Sequence, residues 1–342
     1  MTEPHNIKLS VVIPTLGRPI LIDTLKSLLA AQGVDDIEII VAGRIADVAV
    51  AARVKDLVGR YPRIRHLEVA FPSGDSSRKK NAGAEISRAD LVAFIDDDVI
   101  VASDWPLRIV EPFADPAVGL VSGPSLVPDD LPLMARLAGV TLASKAAGYV
   151  AQRYLQGDPH PREVRWSFLI GCNMAFRKTV LNELGGFDPA FWPGEEMIAS
   201  SRATRAGHKL IFHPHAFLYH YPRSSLLRYL KQIYGYGATR IRLLRAGVEF
   251  EATTLLPALW VLSLLVLGIT APFCQWCLWL LVADIALYLV GALAITAQKV
   301  GETRHWKDVL MFPLVPLTHL SYGIAEWVEV FMPGRDLSVK KG

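Results

Sequence analysis

Short, mostly apolar runs punctuate the first hundred residues. Leu9 to Ile13 is one, closed by Pro14; Ile37 to Val41 and Leu91 to Ile95 are two more, and His66 to Val69 suits a weaker one between them. Continuous apolar runs of this length suit strands buried on both faces, whereas strands with one wet face alternate. Between them, Ile20 to Ala31, the segment from Ala42 through Gly59, and residues 76 to 88 carry helical spacing, with Ser73, Gly74 and Asp75 forming a loop. Strands alternating with helices predict an α/β fold with a parallel, doubly wound sheet.

Beyond about residue 250 the pattern changes. Leu255 to Phe273 and Trp276 to Ala297 each have the length that crosses a bilayer core, and Asp284 is the one charged residue in this stretch. Only Cys274 and Gln275 separate them, which predicts a helical hairpin. A third apolar stretch, Val309 to Phe331, contains Pro313, Pro316, Glu326 and Glu329 and is open to three readings: spanning, re-entrant or interfacial. Upstream, residues 224 to 245 place Leu226, Leu227, Leu230, Ile233 and Tyr234 on one side of a helix ringed by basic residues, as in a helix lying in a membrane interface. Leu131 to Leu155 reads as one apolar, partly buried helix carrying Arg136, Lys145 and Arg153.

Charge then orients the chain. Residues 223 to 247 hold Arg223, Arg228, Lys231, Arg240, Arg242 and Arg245 without an acid, and Lys299, Arg304 and Lys307 follow the hairpin. Basic flanks stay in the cytoplasm, which places the hairpin tip on the far side. The N-terminal residues lack the pattern of a signal peptide, so the leading domain is expected in the cytoplasm, on a multi-pass protein of the inner (plasma) membrane. The net charge of +3 is small and clustered beside the membrane segments, which points to anionic lipid headgroups and away from nucleic acid. The expected division is residues 1–222 as a catalytic domain, 223–250 as a basic interfacial helix region, and 251–342 as a membrane region. Three cysteines give no disulfide framework, and Cys274 and Cys277 read as small apolar membrane residues.

The chemistry concentrates where Leu91 to Ile95 ends in Asp96, Asp97 and Asp98. Ligands of open α/β sheets bind beyond the carboxyl ends of the strands. Carboxylates there can hold a hard divalent cation, and that cation can neutralise a diphosphate. A second acidic pair, Glu195 and Glu196, follows Trp192, Pro193 and Gly194.

Six segments in order carry a family resemblance: Val11 to Thr15 with Arg18 and Pro19, Lys80 to Gly83, Phe94 to Asp98, Gly171 to Arg177, Leu184 to Asp188, and Gly194 to Glu196. Together they resemble the inverting family 2 glycosyltransferases. The membrane tail and the Tyr219 to Arg240 segment look most like the nonprocessive, succinoglycan-type transferases of bacterial exopolysaccharide assembly.

The resemblance implies a Rossmann-like nucleotide-diphospho-sugar transferase fold (GT-A) followed by a membrane helical region, with Mg²⁺ or Mn²⁺ as cofactor. It makes Asp98 a metal ligand and Asp96 a nucleotide contact that also borders the metal, while Asp97 orients the loop or shares the ion. His220 completes the metal shell, bonds the diphosphate or is structural. Pro14, Thr15, Arg18, Lys80 and Asn81 match donor-facing positions. The chain has Ala42, Gly43 and Arg44 where relatives carry acids after the second strand, and Asp47 is the nearest substitute. Gly171, Cys172, Asn173 and Trp192 match an acceptor or sugar pocket. Glu196 takes the place of the general base with Glu195 beside it, although relatives usually have aspartate there.

The donor by analogy is a uridine diphosphate sugar and the acceptor is lipid-linked. A Gln-x-x-Arg-Trp motif of processive synthases is absent after Gln232, which favours one sugar per encounter. Two other readings are a polyprenyl-phosphate sugar synthase, whose phosphate acceptor needs no general base, and a catalytically silent membrane subunit that binds nucleotide.

Overall fold

The computed structural model describes residues 7–69, 71, 76–191, 193–249 and 251–334. The expected loop at Ser73 to Asp75 and the candidate pocket residue Trp192 lie outside them. In chain order the strands are β1 (Leu9–Pro14), β2 (Ile37–Ala42), β3 (Ile64–Leu67), β4 (Leu91–Ile95), β5 (Val99–Val101), β6 (Val118–Ser122), β7 (Ser125–Leu126), β8 (Arg162–Glu163), β9 (Asn173–Arg177), β10 (Lys209–Phe212) and β11 (Leu218–His220). The α-helices are α1 (Leu21–Leu29), α2 (Val48–Arg60), α3 (Ser76–Glu85), α4 (Trp105–Val110), α5 (Leu133–Leu142), α6 (Lys178–Glu183), α7 (Glu195–Arg205), α8 (Leu226–Arg245), α9 (Leu256–Thr270), α10 (Gln275–Thr303) and α11 (Leu314–Phe331). Two compact units result, one from the residues through Leu126 with Gln152–Tyr221, the other from Val127–Ala151 with the chain after Pro222.

In the first unit the main sheet runs β3-β2-β1-β4-β9-β6-β10-β8. Pairs β3-β2, β2-β1, β1-β4 and β6-β10 are parallel, as the alternation predicts. Strand β9 is antiparallel to both β4 and β6, so the sheet is mixed and the expectation of a wholly parallel one is corrected. A parallel crossover needs a dozen or more residues, usually a helix across the sheet. Strand β9 instead starts at the end where β4 and β6 finish and runs back between them.

Helix α3 has no apolar stripe; its sequence is Ser-Ser-Arg-Lys-Lys-Asn-Ala-Gly-Ala-Glu, yet Ser77, Lys79, Lys80, Gly83 and Ala84 are buried. Packing on β1 explains it, since a Cβ on Gly83 would stand 2.4 Å from a Val12 methyl. Three aromatic rings fill the space nearby: Phe187 meets Phe94 edge-on at 4.9 Å and Phe176 at 5.6 Å. A smaller sheet, β5-β11-β7, closes the carboxyl end.

In the second unit, the segments Ala252–Phe273 and Gln275–Thr303 are long and apolar enough to cross a membrane, with mean hydropathies of 2.1 and 2.3. They are the two such segments among the described residues. The third apolar stretch becomes α11, which packs on α8: Tyr229 Oη and Thr318 Oγ1 share a hydrogen bond of 2.8 Å, Ser321 Oγ donates to the Leu230 carbonyl at 2.9 Å, and Arg242 pairs with Glu329 at 3.2 Å.

This packing uses a row of α8 along Tyr229 and Ile233. Leu226 and Leu227 are exposed, and the buried row is Tyr229, Ile233, Gly237 and Ile241, one residue per turn. Arg240 is buried as well, donating to Tyr149 Oη. The single helix expected over Leu131 to Leu155 is broken: α5 ends at Leu142, and Gly148 at φ 58° kinks the short 3₁₀ turns of Lys145–Tyr154.

Glycines set how closely these helices approach. An added Cβ at Gly237 would stand 2.3 Å from the Tyr322 carbonyl oxygen, and one at Gly323 would stand 2.4 Å from that of Pro257. Gly237→Val and Gly323→Val should therefore lower the melting temperature in detergent, at the upper end of the roughly 1–3 kcal/mol that overpacking costs. Gly268→Ala, where a Cβ meets nothing within 4 Å, should melt like the wild type.

Candidate active site

The three aspartates diverge as they leave β4. Asp97 turns inward, where its Oδ2 accepts from Thr15 Oγ1 at 2.6 Å and from Leu16 N at 3.3 Å, and Arg18 pairs with its Oδ1. Asp98 receives the other arm of Arg18 at 2.7 Å and the His220 Nε2 at 3.2 Å. Asp96 is half-exposed and lies 4.0 Å from the same imidazole. Thr24 fixes the turn, donating its hydroxyl to the Asp97 carbonyl at 3.1 Å and accepting from Val99 N at 3.3 Å.

His220 arrives from more than a hundred residues away because β11 pairs antiparallel with β5, His220 opposite Val99. The Tyr221 N–H then donates to the Asp98 carbonyl at 3.3 Å. One ligand atom each from Asp96, Asp98 and His220 thus falls within 4.8 Å of the others. Two carboxylate oxygens and one imidazole nitrogen so placed fit a divalent metal site. Burial alone would raise the Asp98 carboxyl, but His220 and Arg18 outweigh it and hold the group well below the usual carboxylate range. Burial and the adjacent Asp98 push Asp96 the other way.

A second centre forms where α7 starts. Gly194 takes φ 115°, and its N–H donates to Glu195 Oε2 at 3.2 Å. Glu195 is buried and accepts from Ser76 Oγ at 2.5 Å and from Lys80 Nζ at 2.9 Å. Glu196 is half-buried with its carboxyl against the 170–172 turn, where a Cβ on Gly171 would stand 3.2 Å from it. Burial, with the charge of Glu195, raises the Glu196 carboxyl above an ordinary glutamate.

Lys80 joins the two centres. Burial opposes its charge, but Glu195, Asp96 and Glu196 together keep the ammonium protonated well above the usual lysine range, over the Phe187 ring at 5.1 Å. The 2.9 Å contact with Glu195 commits that acid to the lysine, so the two neighbouring glutamates differ in kind.

The structure gives other employment to several residues expected to bind ligand. Asn81 brackets Phe187, donating to its carbonyl at 2.8 Å and accepting its N–H at 2.8 Å. The Lys80-Asn81 and Gly185-Gly186-Phe187 motifs are therefore two halves of one contact, tight enough that a Cβ on Gly186 would meet Asn81 Oδ1 at 2.7 Å. Asn173 is buried and holds Trp105 Nε1 at 2.9 Å and the Pro124 and Ala216 carbonyls at 3.0 and 2.8 Å, a fixed strand joint in place of a pocket wall. Asp47 is exposed and caps α2 through Ala49 N and Val50 N. Cys172 is buried, its Sγ 3.4 Å from Ser125 Oγ, and burial pushes its thiol up. Pro14 closes β1, and after β2 a side chain at Gly43 would stand 2.3 Å from the Thr15 carbonyl oxygen, so no acid fits at that position.

Residues that the sequence did not single out complete the site. Lys79 donates to the Thr15 carbonyl at 3.0 Å, Ser76 orients Glu195, and the buried Arg153, anchored on the Ser167 carbonyl at 3.0 Å, pulls electrostatically on Glu196. The signal in the sequence was the polar helix itself: a helix without an apolar stripe that is still buried must bury its cations against acids.

Comparison with known proteins then decides the family. Residues 5–234 match the model described as glycosyltransferase like family 2. The chain belongs to this family. As a family 2 glycosyltransferase it is 28% identical over 266 residues to the succinoglycan biosynthesis protein ExoM of Rhizobium meliloti, covering 70% of this chain and 76% of that one. It is also 28% identical over 186 residues to the pre-mycofactocin glycosyltransferase of Mycobacterium tuberculosis, of whose length the chain spans 38%. The fold matches a mannosyltransferase from Pyrobaculum calidifontis, solved with GDP-mannose and Mn²⁺, at a TM-score of 0.60 and 16% identity over 95% of this chain and 87% of that one. That likeness shows a GT-A fold.

The metal assignment of this family 2 enzyme has a direct check. With Mn²⁺ present, Asp98→Ala and His220→Ala should each weaken nucleoside diphosphate binding by calorimetry, at least the roughly 10- to 100-fold that even an outer-shell partner is worth, while nucleoside binding holds. Full transfer activity in excess chelator would refute the assignment.

Proposed function

We propose that the protein is a metal-dependent inverting glycosyltransferase that moves one sugar from a nucleotide-diphosphate donor to a lipid-linked acceptor at the cytoplasmic face of the membrane, in exopolysaccharide or glycolipid assembly. The observation that carries this reading is Lys80, which couples the aspartate and histidine cluster to the glutamate pair and so fits one site with a leaving-group end and a nucleophile end.

Asp96, Asp98 and His220 would hold the divalent cation, which when bound supplies positive charge to the departing diphosphate. Arg18, lodged on Asp97 and Asp98, and Lys80 add fixed positive charge around the same oxygens. The acceptor hydroxyl attacks the anomeric carbon from the face opposite the nucleotide as the bond to the diphosphate oxygen breaks, which inverts the centre. Glu196 takes the hydroxyl proton, because Glu195 is tied to Lys80 and Ser76.

Gln232 is bonded to Tyr236 at 2.9 Å within α8 and is not followed by the Arg-Trp of processive synthases, in keeping with a single addition. Uridine diphosphate sugars are the first donors to try, with GDP-mannose, the donor bound in the Pyrobaculum structure, next. The two apolar segments and the likeness to an exopolysaccharide protein support a membrane-held acceptor.

Glu196→Gln should cut turnover by about 10²- to 10⁴-fold with donor affinity little changed. A near-normal rate would instead favour a phosphate acceptor and the polyprenyl-phosphate synthase reading. In the wild type, kcat should rise with pH through a midpoint above that of an ordinary glutamate and then level off, because only the deprotonated Glu196 accepts a proton. A rate that is flat across pH 4 to 8 would remove Glu196 from that role.

A further inference from the structure

The thiols at the hairpin tip take no part in sugar transfer, yet their geometry is that of a chemical site. Cys274 lies between the two long apolar segments as the N-cap of α10, with extended backbone (φ −144°, ψ 110°) and its carbonyl accepting from Leu278 N at 3.1 Å. An N-cap side chain faces the unpaired N–H groups of the first helical turn. Cys277 is three residues on, in the first turn of α10, a spacing at which side chains of one helix face are neighbours. The start of a helix favours a thiolate at this position over an ordinary cysteine.

The surroundings give solvent access. Phe273 is 89% and Trp276 78% exposed on either side, aromatic residues of the kind that mark a membrane boundary, and both tip cysteines are partly exposed. Cys172, the third cysteine of the chain, is buried.

We propose that Cys274 and Cys277 form a reversible dithiol–disulfide pair that exchanges with soluble disulfides in the compartment opposite the basic flanks. The Cys274 thiolate attacks one sulfur of an external disulfide, whose S–S bond breaks; the departing thiolate takes a proton and a mixed disulfide remains on Cys274. The Cys277 thiol then gives its proton to solvent and attacks that Cys274 sulfur, expelling the second external thiol. The pair loses two electrons and two protons, and one external disulfide becomes two thiols. Compartments outside the cytoplasm favour the oxidised form.

The test uses the full-length protein in detergent micelles, equilibrated with reduced and oxidised glutathione over a range of ratios, quenched in acid, unfolded and counted for free thiols by alkylation and intact mass. One transition is expected, in which the thiols fall from three to one without chain dimers. Persistence of three thiols at the oxidising end, or loss of thiols only through dimers, would overturn the proposal; this arm needs no variant. Cys274→Ser and Cys277→Ser should each leave a glutathione adduct on the remaining tip cysteine. At neutral pH Cys274 in the C277S protein should react with maleimide faster than Cys277 in the C274S protein, and equal or reversed rates would refute Cys274 as the attacking sulfur.

Discussion

One buried ammonium sets the terms for the catalytic unit. Lys80 is buried on a helix with no apolar face and is stable there only because Glu195 accepts its hydrogen bond at 2.9 Å and Asp96 and Glu196 add their charge. Removing one partner of such a pair leaves an uncompensated charge and costs about 3–5 kcal/mol, whereas the intact pair adds little net stability. Its value lies in placement. The same contact that makes burial tolerable fixes α3 against the start of α7 and makes two adjacent glutamates differ, one held by the lysine and one not.

Strand register supplies the rest of the geometry. Because β9 runs antiparallel to β4, Asn173 falls opposite Ile95, and the Gly171 turn is delivered beside the aspartates and the Glu196 carboxyl. Because β11 runs antiparallel to β5, His220 falls beside Asp98. Neither pairing is local, and a slip of one residue in either would turn the relevant side chain to the opposite face. Asn173 and Asn81 act as the pins. Each spends its amide on backbone groups of another segment, which is why polar residues that look like ligand contacts are buried joints.

In the helical unit the controlling constraint is close approach without side chains. Gly237 and Gly323 let α11 lie against α8 and against the start of α9, and the polar groups of α11 then find protein partners, Thr318 with Tyr229 and Glu329 with Arg242 and Arg245. Glu329, one of the groups that made this stretch hard to read as a membrane span, is accommodated by this packing.

The sequence by itself determined the strands β1, β2 and β4 within a residue, the triple aspartate at a strand end, the acidic pair after Gly194 and the two long apolar segments. Each rests on a local rule: mostly apolar runs, charge at the end of a run, or length against a bilayer. Only the tertiary structure decided that β9 reverses the sheet, that His220 joins Asp96 and Asp98, that Glu195 and Glu196 part company, and that the Leu131 to Leu155 stretch breaks at Gly148. Those outcomes depend on which distant backbone or charge each residue meets, and hydrophobic periodicity carries no record of a partner's address.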